Sequence, residues 1–453
     1  AQASTAMTEG DKAEIIAKGR LLRGLVFFDQ ARKMGRFVPM CEVITEKDED
    51  KATIPMTKNV AESYKYVIED LEAAIPGLPT EALPGEPTKY AAEVLLSRAL
   101  LQAYAYTKNT EYLDKAITYA KDVTENCSLS NTYGGMFNEK DETNPEILWG
   151  YYRLKANSTI GGYEELIRTY PNIGADDVTN SKSPVKVQNP NGRTFEGWAI
   201  YFPTQDMVDQ YLVTDEETGK ALPWWETSQY KKNVDVLDPT TVTAAGQIDS
   251  YEQVNGNARR IPTPQDFAQL NSAHPTNLRY HKLKAGSETN LSKLMYSGRD
   301  ARFASSIVYD GCSWIGETVE TNLGGNLSMG VRDKEDGGWY NTTTGYYWRK
   351  SNIESPEPRA YFDCKVQLHY NMCRTGEAFM NLAEAYLLKK DIPNAVKALN
   401  ATRVKHGKIA ASTATTEAMP TTDARLATLS TTSTARFTRL RFHATAHSCS
   451  SIR

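Results

Sequence analysis

A run of about 18 uninterrupted apolar residues, the least that a membrane-spanning helix needs, occurs nowhere in this chain. The longest oily patch, Leu21 to Phe28, is broken by Arg23 and Gly24. A basic excess is missing too: 52 Lys and Arg stand against 56 Asp and Glu, for a net charge of −4. Such a surface has little with which to neutralise a phosphate backbone, so nucleic acid is not an expected partner. Cysteine is sparse. Cys41, Cys127, Cys312, Cys364, Cys373 and Cys449 form no CxxC pair, which argues against a zinc ribbon or a thioredoxin-type site. They are also too few for a disulfide scaffold in a chain of 453 residues and are expected to be buried or free thiols. The start, Ala1 to Thr5, shows no basic segment leading into an apolar one, so no signal peptide is read there.

Catalytic signatures are equally scarce. The sequence has no GxSxG elbow, no HExxH helix and no Gly-rich phosphate loop. Glycoside hydrolysis needs two carboxylates about 5 to 9 Å apart. With 56 acidic residues some pair can always be nominated, so nomination carries no information. The expectation is a protein that is not an enzyme and holds neither cofactor nor metal. The Asp48-Glu49-Asp50 run lacks the spacing of a calcium loop and reads as a solvated loop.

What is present is helix at both ends of the usable chain. In the first part, Ala17, Leu21, Leu25 and Phe28 recur at helical spacing, with Gly35 where a C-cap would stand. Val60, Tyr64, Val67, Leu71 and Ile75 do the same, and Pro76 to Pro79 stops that run. Thr88 reads as the N-cap of a helix from Lys89 to Tyr106, with Ala92, Leu95, Ala99, Ala103 and Tyr106 on one face. A fourth stripe is Tyr112, Ala116, Tyr119 and Val123. Helices return at Thr375 to Leu388 and at Ala395 to His406, after Asp391 and Pro393. The two early helix pairs resemble tetratricopeptide-like αα-hairpins of degenerate sequence, and the late pair is expected to stack on them.

Between these helices the texture changes. Short strand-like pieces such as Ile147 to Tyr152 alternate with Gly, Asn, Pro and Thr clusters, and one helix is expected from Gln205 to Leu212, capped by Thr204. The fold class is therefore mainly α: TPR-like hairpins with a large loop-rich, aromatic-rich insert. Its expected parts are 1–126 (helical hairpins), 127–373 (loop-rich ligand-binding region) and 374–409 (returning hairpin).

Residues 410–453 differ from everything before them. Ser, Thr and Ala make up 26 of these 44 residues, and from Thr421 onward Gly, Lys, Tyr, Trp, Asn, Gln, Val and Glu are all missing. From that point five Arg face one Asp, a net +4 that leaves −8 for the remainder. The composition reads as a disordered basic tail or, preferably, as a shifted reading frame. His443, His447 and Cys449 are spaced as metal ligands could be, but being in this tail they carry no weight.

A family resemblance rests on nine short motifs in order. Gly19 to Asp29 with Gly35-Arg36-Phe37-Val38-Pro39 comes first, then Glu69-Asp70-Leu71 before Leu78-Pro79, and Thr88-Lys89-Tyr90-Ala91-Ala92. Asn144-Pro145-Glu146-Ile147-Leu148 and Pro203-Thr204-Gln205, leading to Asp209-Gln210-Tyr211, follow. Gly298 to Phe303, Thr344-Gly345-Tyr346 with Arg349-Lys350, Asn381 to Ala385 and Ala398 to Arg403 complete the series. Together, over residues 17–407, they resemble the SusD/RagB-type proteins.

That resemblance implies a non-catalytic lipoprotein exposed on the outer membrane of Bacteroidetes-type bacteria. It implies capture of glycans, or of peptides in the RagB branch, and their delivery to a SusC-like TonB-dependent transporter. The family's lipid-bearing cysteine and first helices would lie before Ala1, so membrane attachment is expected only through an anchor absent from this chain. Its closing acidic, Arg-rich helix and aromatic Arg-Trp stretch are missing where the unusual tail begins. An intracellular TPR-like scaffold is the alternative, and the long aromatic middle counts against it.

A glycan site needs exposed aromatic planes with polar groups beside them. The candidates are Trp225, next to Trp224 and Glu226, then Trp314, and Trp339-Tyr340-Asn341, which Asp336-Gly337-Gly338 places on a turn. If Trp224-Trp225 lies in a strand, the two rings point to opposite faces and at most one meets ligand. The resemblance carries over no ligand residue. Arg299, Asp300 and Arg302 read as an ion-paired structural turn, and Asn381 and Glu384 as interhelical hydrogen-bonding residues.

Overall fold

A computed structural model describes residues 2, 4–45, 54–153, 168–173, 195–196, 199–253, 278–314, 317–319, 321, 342, 344–352, 354 and 369–413. Trp339, Tyr340 and Asn341, the Asp48-Glu49-Asp50 run, Cys364, and the tail from residue 414 with His443, His447 and Cys449 lie outside these residues. Cys41, Cys127, Cys312 and Cys373 are free thiols.

Four helices open the chain: α1 (Glu9–Met34), α2 (Val60–Ala74), α3 (Lys89–Thr107) and α4 (Glu111–Asn126). The start of α1 is fixed by a capping box, in which Thr8 Oγ1 accepts from Asp11 N–H and the Asp11 carboxylate accepts from Thr8 N–H. Its end is Gly35, at φ 77°, where a side chain would be strained. Thr88 caps α3 as expected, accepting from Ala91 N–H at 3.1 Å.

Phe28 of α1 meets Tyr64 near the start of α2, while Gly77, just past α2, lies against Ala13 and Ala17. The two helices are therefore antiparallel, the first αα-hairpin. Its polar clasp is Asp70, buried on α2 and gripped by Arg23 through Nε (2.6 Å) and Nη2 (2.7 Å), with Arg20 adding a third bond at 2.7 Å. Motif residues that might have suggested chemistry thus hold two helices together.

The late helices are α5 (Thr375–Leu388) and α6 (Ile392–Lys405), the second begun by Asp391, whose side chain accepts from Asn394 N–H. They stack on the early pairs. Arg98 of α3 makes a bidentate pair with Glu377 of α5 (2.5 and 2.6 Å), and Asn381 donates to Ser97 Oγ at 2.7 Å. Ala120 of α4 packs with Leu382, Ala383 and Ala398. With neighbours on several sides, α3 buries far more than the single expected stripe, down to Glu93 and Ser97. Residues beyond 409 stay attached: Asn400 exchanges two hydrogen bonds with the Ser412 backbone, and Arg403 Nε donates to Ala410 O.

The loop-rich middle joins this scaffold through an antiparallel pair, β1 (Ile147–Tyr152) and β2 (His369–Arg374), with two register irregularities. Beyond it lie two-residue ladders and a three-stranded antiparallel sheet in which Leu278–Leu283 runs between Val234–Leu237 and Ser250–Gln253. The helix expected from Gln205 to Leu212 stops at Asp209. The Val208 and Tyr211 carbonyls accept from Arg299 Nη1 instead, each at 2.7 Å, so a buried guanidinium takes the place of the missing turns.

Candidate functional site

The expected site residues part company in the structure. Trp314 is 3% exposed. It sits between Tyr170 (centroids 5.1 Å apart) and Tyr347 (5.9 Å), with Val308 and Val319 beside them, and this is a packing role. Trp224 and Trp225 lie in a 3-10 turn, Trp224–Glu226, and not in a strand. Their rings stand at 89°, so Trp224 packs on Tyr230 and His281 while Trp225 keeps part of its face in solvent. A turn, and not the strand alternation considered from the sequence, separates the two rings.

Two aromatic platforms were not singled out from the sequence. On β1, Tyr151 is 54% exposed, and Arg153 lies over its ring at 5.6 Å and over the ring of its cross-strand partner Tyr370 at 5.2 Å. Tyr201, 50% exposed, carries Arg168 at 6.0 Å. An exposed ring beside a guanidinium offers a stacking face for the C–H side of a sugar and donors for its hydroxyls. The available signal was a Tyr two residues before an Arg on a short strand, which is too common to be read without knowing which face is wet.

A buried ionic junction joins the middle to the scaffold at Glu146. Glu146, fully buried, accepts from Arg374 Nη1 (2.7 Å), Ser130 N–H (2.9 Å) and Gly376 N–H (3.2 Å), and its second oxygen is 2.9 Å from His406 Nε2. Burial by itself would raise the Glu146 carboxyl. His406, the Arg374 charge and the Ser130 N–H outweigh it and hold the group below its ordinary value. Lys350, from the expected Thr344–Lys350 motif, packs 4.0 Å over the Phe137 ring, and burial pulls its pKa down. Arg302 pairs with Asp300 at 2.5 Å, and Arg299 Nη2 lies 3.6 Å from Asp209, so that motif is the ion-paired turn expected of it.

The described residues also enclose a cleft of about 700 Å³ between the 80–88 loop, the exit of α4 and the start of β1, lined by Tyr90, Trp149 and Tyr152 among others. Of the expected site residues that the structure describes, neither Trp225 nor Trp314 lines it.

Comparison with known proteins agrees with this architecture. A curated SusD-like protein of Bacteroides ovatus is 27% identical over 235 residues, covering 51% of this chain and 40% of that protein. The chain thus spans less than half the length of that relative. A solved SusD-like protein of Bacteroides fragilis superposes with a TM-score of 0.62 at 18% identity, over 96% of this chain and 68% of that one. A SusD-like carbohydrate-binding protein from the same species gives 0.61 at 16% identity, over 98% and 69%. The sequence model of the SusD family matches residues 145–431, running past residue 410 into the Ser/Thr/Ala-rich segment. A match over more than half of the chain, on top of the shared helical architecture, places this protein in the SusD family.

Proposed function

We propose that this protein is a non-catalytic binding protein that captures glycans at the cell surface. In this reading it passes them to a SusC-like TonB-dependent transporter in the outer membrane. The observation that carries the reading is the set of solvent-facing rings beside guanidinium groups, Tyr151 with Arg153 and Tyr201 with Arg168, on a chain of the SusD family. Trp225, and the Trp339-Tyr340-Asn341 run of the sequence, are further ligand candidates in the same aromatic middle.

The test is retardation of the folded protein in native gels containing soluble polysaccharides. Retardation by one glycan class, without shortening of that glycan, is the expected result. Trp225→Ala and Trp339→Ala are each expected to weaken it by roughly tenfold, the worth of one stacking ring. Shortened glycan would mean catalysis, and indifference to every glycan would favour peptide capture. Co-purification with a transporter from outer membranes checks the delivery step.

A further inference from the structure

We propose that the cleft beside the 80–88 loop is a second carbohydrate site, selective for neutral sugars over acidic ones. The proposal rests on the glycan-binding reading above and adds a location and a ligand class to it. A cavity of about 700 Å³ falls within the usual size of a small-ligand pocket, roughly 300 to 1,000 Å³. It is formed by the 80–88 loop and the start of α3 together with the exit of α4 and β1, and neither Tyr151 nor Tyr201 lines it.

Its wall is built, not accidental. Gly85 turns at φ 91°, which lets the loop fold back until its carbonyl accepts from Trp149 Nε1 at 3.2 Å. A side chain at Gly85 would point at the Tyr152 ring, 3.6 Å away. Tyr152 is itself held, stacked on His369 at 5.3 Å and donating to Glu142 O at 2.8 Å. Tyr90, on the first turn of α3, supplies another partly exposed ring. Apolar planes are thus fixed before any ligand arrives, which lowers the entropic cost of binding.

The polar lining decides the ligand class. Thr80, Ser128 and Thr143 are exposed in the cleft, and their hydroxyls make no hydrogen bond among the described residues. Among the described residues no Lys, Arg or His lines it, whereas Glu81 and Glu86 do. The nearby cations are engaged: Lys18 with Glu86 and Glu14, Lys89 with Asp122, Lys405 with Asn131. Hydroxyls that donate and accept suit sugar hydroxyls. Glu86 is matched by Lys18, but a carboxylate would still meet the Glu81 charge, which no cation pairs among the described residues, so uronic acids and peptide C-termini are disfavoured.

The experiment is calorimetric titration of the folded protein with neutral xylo-, cello-, malto- and manno-oligosaccharides and with oligogalacturonides of equal length. Thr143→Trp fills the cleft from an exposed position and leaves the core untouched. It is expected to remove one binding event for a neutral oligosaccharide, or to weaken binding at least tenfold where the wild type shows a single event. Glu81→Lys is expected to raise affinity for oligogalacturonides without loss of the neutral ligand. A Thr143→Trp isotherm identical to wild type would overturn the second site and leave the glycan reading standing. A wild type that binds no sugar of the panel would overturn both. Preference of the wild type for oligogalacturonides, lost in Thr143→Trp, would refute the neutral selectivity.

Discussion

Charged and aromatic side chains are buried in both regions of this molecule, but for different purposes. In the scaffold they join helices that already exist: Arg23 reaches Asp70 across the first hairpin, and Arg98 reaches Glu377, 279 positions further along the chain. Small residues such as Ala92, Ala99 and Ala103, all fully buried, let those helices approach, and the ion pairs set their register. Among the described residues of the middle, helices and strands are short. There, Arg299 donates to the Val208 and Tyr211 carbonyls just past a short helix, and stacks such as Tyr170–Trp314–Tyr347 replace periodic apolar faces. A loop-rich region obeys the same rule as a helix, that buried backbone groups need partners, and meets it with side chains.

The contrast can be broken first at its junction. Glu146→Ala leaves Arg374 without its buried carboxylate and the Ser130 and Gly376 N–H groups without an acceptor, and is expected to cost about 3 to 5 kcal/mol by urea unfolding. A loss under about 1 kcal/mol would mean that the two regions are not held there. Trp314→Ala is expected to cost a similar amount, about 3 to 5 kcal/mol, because it empties a buried aromatic stack. Loss of glycan binding with unchanged stability would return Trp314 to the ligand candidates.

Within the scaffold, Gly35→Ala forces a side chain into φ 77° and is expected to cost roughly 1 to 3 kcal/mol in the same assay. Glu93 gives the subtlest test. Burial, with Asp122 beside it, pushes its carboxyl up to about 8. The folded state then holds a proton that the unfolded chain releases above its ordinary value of 4.5, so this group stabilises the fold below pH 4.5. That contribution is lost as pH rises toward 8. Glu93→Gln is expected to flatten the decline of the urea midpoint between pH 5 and pH 8, and an unchanged slope would sink the assignment.

The parts that could be read in advance were those where local rules suffice. Thr88 as an N-cap, Gly35 as a terminator, Ile147 to Tyr152 as a strand and Thr375 to Leu388 as a helix each depend on a few consecutive residues. The helix from Gln205 was read too long because the residue that shortens it, Arg299, lies some ninety positions away. The candidate site was legible only as a composition. Trp225 and Trp314 looked alike in the sequence, and only the fold put one at the surface and the other in a core.

The sequence by itself determined the helical hairpins, their return after the long middle, and the family to which the chain belongs. Helix signals repeat every few residues, and motif order survives where overall identity is low. Tertiary structure alone decided which rings face solvent, that Tyr151, Arg153 and Tyr370 form one platform, and that the 80–88 loop closes a cleft against β1. Those outcomes depend on contacts between segments far apart in the chain, such as β1 with β2, and no local pattern encodes which partner a strand will meet.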